Sequence, residues 1–188
     1  METGPTALQQ LETAIDLCFR ERLIAPTLAL LYSGIDAMAC LGLPDDQEDV
    51  RGEDFVQWTD RYLLPGSGIA CTAVDLYSSR CGIVHSMTAE SRKIREGAAR
   101  GVYFAWGSHQ AGNLQQILDW TGKPICAVQV DALIKAFRTA LDGFMEASQV
   151  DPELGQRVSK RKKRILMNTQ LAEEEISGLL RRIDETNR

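Results

Sequence analysis

The stretch Ala73-Val74-Asp75-Leu76-Tyr77-Ser78-Ser79-Arg80-Cys81-Gly82-Ile83-Val84-His85-Ser86 sets the reading of the whole chain. Apolar positions at Ala70, Val74, Tyr77, Cys81 and Val84 recur at steps of three and four, the spacing of one face of an α-helix. That spacing predicts an amphipathic helix with this stripe buried. Arg80 and His85, one of only 2 histidines in the chain, flank the stripe. At roughly 100° per residue they fall about 140° apart, on its opposite shoulders. The helix is expected to bury its middle and to hold a guanidinium and an imidazole at the two rims of a groove.

Two apolar segments precede it. Residues 5–23 read as a helix with Leu8, Leu11, Ile15 and Cys18/Phe19 on its inner face. Pro26, tolerated in a first turn, opens a second helix over 26–41 whose stripe is Leu28, Leu31, Ile35 and Met38. Gly34, Ala37 and Ala39 are small enough to admit a close neighbour, and predict a homodimer through this bundle. Tyr32 and Asp36, at i and i+4, share a face. An unpaired carboxylate in so apolar a segment is expensive, so Asp36 and Tyr32 are expected to contact the Arg80 helix and orient its guanidinium. An acidic turn at 43–49 leads to a shorter helix at 53–64, with Phe55, Trp58, Tyr62 and Leu63 inward. Pro65-Gly66-Ser67-Gly68 then breaks the chain.

Beyond His85, residues 88–97 are polar and read as an exposed arm or short helix. The period then changes. Residues 102–106 and 124–130 are β-branched and aromatic runs with glycines nearby, expected to form an antiparallel β-hairpin around a short helix at 114–120. Asp131 reads as the N-cap of a helix to 147, with Leu133, Ile134, Phe137, Leu141 and Phe144/Met145 buried. Asp151-Pro152-Glu153 starts another helix, and Ile176, Leu179, Leu180 and Ile183 form a last apolar face. With no repeat or low-complexity linker, the chain reads as one mainly α domain over 1–188. A bundle core spans 6–86, the β-hairpin insertion 101–130 and C-terminal helices 131–186.

Apolar content of 44% and charged content of 25% are those of a soluble globular protein, with length for one good core. A net charge of −5 argues against broad adhesion to nucleic acid or anionic membrane, so any nucleic-acid site must be a local patch. The 5 cysteines are scattered without a CxxC pair, as expected for small buried thiols in a reduced, cytoplasmic protein. The start lacks a signal-peptide layout, and no apolar run is expected to span a bilayer.

Chemistry outside the Arg80–His85 helix is sparse. His109 lies in a polar turn and reads as solvated. Two histidines without clustered thiols or carboxylates argue against zinc, and no metal or cofactor is expected. Lys160-Arg161-Lys162-Lys163-Arg164 is the one dense basic run, able to track a phosphate backbone, although a solvated helix face is its simpler reading. No Walker loop, Rossmann fingerprint or GxSxG elbow is present.

The segment Leu76-Tyr77-Ser78-Ser79-Arg80-Cys81-Gly82-Ile83-Val84-His85 resembles the signature helix of HEPN-like proteins, helical nucleic-acid-linked domains marked by Arg, four to six residues, then His. As an architecture the resemblance covers residues 8–86; only Arg80 and His85 are diagnostic. It implies metal-independent RNA cleavage by a homodimer. The imidazole would move the 2′-hydroxyl or leaving-group proton, and the guanidinium would grip the phosphate. The chain departs from the family pattern in two places: Cys81 replaces the asparagine or aspartate that often follows the arginine, and Met87 replaces the tyrosine that some toxin–antitoxin members nucleotidylate. The first departure favours an alternative, a non-catalytic scaffold of the same fold binding nucleic acid, a nucleotide or a protein partner. In a third reading, Arg80 and His85 are polar groups of a purely structural dimer. On the wheel, the two are poorly placed to meet within one chain. An antiparallel pairing of helices would bring Arg80 towards His85 of a second copy.

Overall fold

The computed structural model describes residues 6–86, 91–165 and 169–186. Helix α1 (Ala7–Arg20) begins at a reciprocal cap: the Gln9 amide donates to the Thr6 hydroxyl, and the Thr6 amide donates to the Gln9 side chain. Arg22 then takes a left-handed conformation at φ 58°, and the Leu23 amide bonds back to the Cys18 carbonyl. This closes α1 and reverses the chain at once into α2 (Ile24–Gly42). Pro26 sits in the first turn of α2, where its missing N–H costs nothing.

Around α2 the rest of the molecule is assembled. Its predicted stripe of Leu28, Leu31, Ile35 and Met38 is buried, and α1, α3, α4, α7 and α8 pack on it. Here α3 (Gly52–Trp58) runs on through a π turn over Thr59–Leu63, and α4 is Ala73–Ser86. Helices α7 (Val130–Val150) and α8 (Pro152–Ile165) follow the sheet. At 19 residues and nearly all apolar, α2 has the length and composition of a membrane span, contrary to the expectation from the sequence. Its inner face is nonetheless packed inside the fold, as in a core helix. The small residue Gly34 is used internally: a Cβ there would lie 2.6 Å from Cζ of Phe137 on α7. Gly34, one of the three small residues behind the expected homodimer, is therefore occupied within the chain.

The expected hairpin is instead a parallel pair. Strand β1 (Gly101–Ala105) and strand β2 (Ile125–Gln129) run in the same direction, with Gly101 opposite Ile125 and Ala105 opposite Gln129. The connection holds α6 (Ala111–Asp119), which packs on β2. A two-residue hairpin turn can join only antiparallel strands, whereas a crossover containing a helix is what parallel strands require. The Gln115 side chain ties this unit together, donating to the Ile125 carbonyl and accepting from the Ala127 amide. A short helix, α5 (Arg92–Arg95), precedes the sheet, as read from the sequence.

Two burial patterns also differ from expectation. On α4 the buried positions are Ala73, Asp75, Leu76, Ser78, Ser79, Gly82 and Ile83, while Val74, Tyr77, Cys81 and Val84 are only half-buried and Ala70 is exposed. Polar groups with partners on distant segments, and small side chains that let α2 approach, outweigh the hydropathy of the predicted stripe. On α9 (Thr169–Thr186), Ile176, Leu179, Leu180 and Ile183 are each more than half exposed.

Candidate functional site

Arg80 and His85 do meet within one chain. Arg80 Nη1 lies 2.9 Å from His85 Nε2. The angular argument fails because the guanidinium sits at the end of a long flexible stem and reaches along the helix towards the next turn. A guanidinium has only donors, so Nε2 is the acceptor in this contact. His85 is exposed and Arg80 half-buried, so the contact opens to solvent.

The carboxylate comes from α2. Asp36 Oδ2 accepts from Arg80 Nη2 at 2.6 Å and from Nε at 2.9 Å. Both donors converge on one oxygen, fixing one edge of the guanidinium and leaving Nη1 directed at His85. Burial raises the Asp36 carboxyl above the usual aspartate range, against the opposing pull of the Arg80 hydrogen bond and charge. Burial works against the charged form of Arg80 too, but the Asp36 hydrogen bond and charge hold it above its ordinary value. The predicted Asp36–Arg80 contact is present.

Tyr32 takes a different place. It is fully buried, which drives its phenol well above the ordinary value, and its hydroxyl faces Ser79 without reaching hydrogen-bonding geometry. Tyr32 thus lies against α4 at Ser79, and its hydroxyl makes no hydrogen bond to Arg80. Tyr77, one turn before Arg80, packs on Phe55 with ring centroids 5.5 Å apart, and Lys93 Nζ sits 5.5 Å from its ring centre. It borders a groove of about 470 Å³ that also takes in Val74, Val56 and Arg51. The close packing depends on Gly52, where a Cβ would fall 2.5 Å from the Tyr77 ring.

The basic run lies on α8, and two of its residues, Lys160 and Arg161, are engaged by their own chain. Lys160 pairs with Asp45 at 3.0 Å. Arg161 is buried and donates to the carbonyls of Pro44 at 2.6 Å and Gln47 at 2.5 Å, clamping the acidic turn. Lys162 is exposed. The side chains of Lys163 and Arg164, like all of Met87, lie outside the described residues. His109 is exposed in a bend between β1 and α6. Among the described residues no three His, Cys, Asp or Glu side chains are grouped to hold a metal ion.

Four pairings around α4 escaped the sequence reading. Thr72 and Asp75 form a cap in which each amide donates to the other's side chain, at 3.0 and 3.2 Å. Asp75 also accepts from the Arg100 amide at 2.7 Å and from Arg100 Nε and Nη2 at 3.0 and 2.7 Å. Burial would raise the Asp75 carboxyl, but these bonds from Thr72 and Arg100 hold it below the usual range. The Ser78 and Ser91 hydroxyls bond to each other, pinning α5 to α4. The Cys71 and Cys126 sulfurs lie 2.8 Å apart. Only the first pairing had a local signal, the Thr-x-x-Asp spacing of a helix cap. The others join residues far apart in the chain.

The site is thus a solvent-facing arginine–histidine contact, held by a half-buried carboxylate, on a mainly helical protein with a small parallel sheet. Against protein-family models, curated proteins and solved structures, the chain has no significant match.

Proposed function

We propose that the chain is a HEPN-like, metal-independent endoribonuclease, working in the cytoplasm as a homodimer. The observation that carries this reading is the 2.9 Å Arg80–His85 contact with Asp36 behind it. An imidazole whose Nε2 is an acceptor is set up to take the proton of an RNA 2′-hydroxyl. Arg80 Nη1 would pass from Nε2 to the scissile phosphate as the substrate enters, freeing the base and stabilising charge on the phosphorane-like transition state. Asp36 is a positioning residue: by holding Nε and Nη2, it keeps the remaining edge of the guanidinium aimed at the reacting groups. A second copy would pack on the half-buried strip of Val74, Tyr77, Cys81 and Val84, which lies between Arg80 and His85 on the helix.

The same geometry favours a second reading. Arg80 is already satisfied by Asp36 and His85, as a polar cluster in a non-catalytic scaffold for nucleic acid, a nucleotide or a protein partner would be. One assay separates the two. Wild type, His85→Ala and Arg80→Lys, matched for melting temperature and sedimentation, are incubated with mixed single-stranded RNA in EDTA. The enzyme reading expects cleavage leaving 2′,3′-cyclic phosphate ends, with His85→Ala down by on the order of 10²–10⁴. Arg80→Lys should also be impaired, because an ammonium cannot make a planar two-point grip. Equal activity in wild type and His85→Ala would assign the cleavage to a contaminant and favour the scaffold.

A further inference from the structure

We propose that Cys71 and Cys126 are a dithiol oxidation site, which a peroxide converts into an intramolecular disulfide joining the approach to α4 to strand β2. The two sulfurs lie 2.8 Å apart although 55 positions separate them in the chain. Non-bonded carbon atoms rest about 3.5–4.0 Å apart, and sulfur is larger. An S–S bond is about 2.03–2.05 Å. The pair therefore lies inside ordinary contact distance and needs under about 1 Å of further approach to bond.

Both partners are held by their surroundings. Cys126 is in register with Val102 in the sheet. Cys71 lies between Ala70, whose carbonyl accepts from Arg100 Nη2 at 3.0 Å, and Thr72, whose amide donates to Asp75. Neither sulfur has to be brought in by a mobile segment. Cys71 is 5% exposed and Cys126 1%, and Ala70 and Thr72 on either side of Cys71 are exposed, so Cys71 is the member of the pair nearer to solvent.

The two thiols are also unequal. The hydrogen bond from Cys71, aided by the nearby Arg100 charge, holds the Cys126 thiol below its ordinary value, while the same bond and burial push Cys71 up. One thiol of the pair serves as the nucleophile and the other as the resolving thiol. The first gives up its proton and attacks one oxygen of hydrogen peroxide, giving a sulfenic acid and a hydroxide that leaves as water once it takes up that proton. The sulfur of the second then displaces the sulfenic oxygen, which leaves as water with the second thiol's proton. In sum, two thiols and one peroxide give one disulfide and two waters, a two-electron oxidation.

The experiment uses the full chain, reduced, freed of reductant and exposed to hydrogen peroxide. Native alkylation followed by non-reducing peptide mapping should show one Cys71–Cys126 linked peptide and an intact mass about 2 Da lower. Cys18, Cys40 and Cys81 should remain alkylatable after denaturation. Closing so long a loop should raise the melting temperature by on the order of 5–10 °C, reversed by dithiothreitol. Cys126→Ser should abolish both the link and the shift. If that variant fails to fold, Cys71→Ala serves instead, and the wild-type map stands without either. A map in which all five thiols stay free, or in which the link joins any other pair, overturns the proposal.

Discussion

Helix α4 takes part in two carboxylate–guanidinium pairs, Asp75–Arg100 at its start and Asp36–Arg80 near its end. In the first, the Asp75 side chain is 4% exposed, both its oxygens are used, and two of its donors are backbone amides. In the second, both side chains are about 20% exposed and both arginine donors fall on one oxygen. The consequence for charge is opposite. Hydrogen bonds win over burial at Asp75, whose carboxyl is lowered, and burial wins over hydrogen bonds at Asp36, whose carboxyl is raised. A saturated carboxylate organises the backbone around it. One that holds a single edge of a guanidinium leaves the other edge available, here to a histidine.

The largest expected effect follows from removing the saturated member. Asp75→Ala would strand the Thr72 and Arg100 amides and leave Arg100 without its partner. The expected loss is about 2–4 kcal/mol, read as a fall in melting temperature of roughly 5–15 °C. The pH dependence has a definite sign. Because the folded-state carboxyl of Asp75 is lowered, its contribution is complete above the ordinary aspartate pKa of about 4 and is lost as pH falls through the lower folded value. Wild type should therefore lose stability in acid faster than Asp75→Asn. Parallel acid-melting curves for the two proteins would contradict that assignment.

The unsaturated pair should matter less to folding and more to chemistry. Asp36→Asn keeps the shape and removes the charge, for an expected loss of about 1–2 kcal/mol. On the endoribonuclease reading it has a signature in turnover: if Asp36 positions Arg80, the kcat for RNA cleavage should fall with little change in KM. A destabilisation exceeding that of Asp75→Ala in the same melting experiment would reverse the contrast between the two pairs.

The sequence resolved what periodicity can carry. The inner faces of α1 and α2, the aromatic side of α3 and the first-turn proline of α8 all lie where spacing put them, because each is fixed by neighbours within one or two turns. The Asp36–Arg80 contact was legible for a related reason: an acid in an apolar helix has few options besides a cation. The buried face of α4 was misread because Asp75 and Ser78 owe their burial to partners, Arg100 and Ser91, which a helical wheel does not include. Strand direction was misread for want of weight on α6, since a helix between two strands already argues for a crossover. The Cys71–Cys126 encounter had no local trace at all. The Arg80–His85 meeting was misjudged because Cβ directions were taken for the directions of side-chain ends.

A third pair, Lys160–Asp45, extends the comparison to the surface, where both side chains are about 60% exposed. Water and salt screen such a pair, and holding two long side chains in one geometry costs entropy, so exposed pairs contribute about 0.2–1 kcal/mol. Lys160→Ala should therefore shift the melting temperature by no more than about 1–3 °C, the smallest of the three changes. Arg161 beside it behaves differently, since it is buried with two backbone carbonyls as acceptors. The same variant tests whether this face of α8 meets RNA. If Lys160 contacts a phosphate, affinity should fall evenly across sequences, and the slope of log affinity against log salt should drop by about 1. An unchanged slope, measured by titration of single-stranded RNA at several salt concentrations, would assign Lys160 to the acidic turn alone. An RNA contact would then have to come from elsewhere, the exposed Lys162 of the same helix or the face bearing Arg80 and His85.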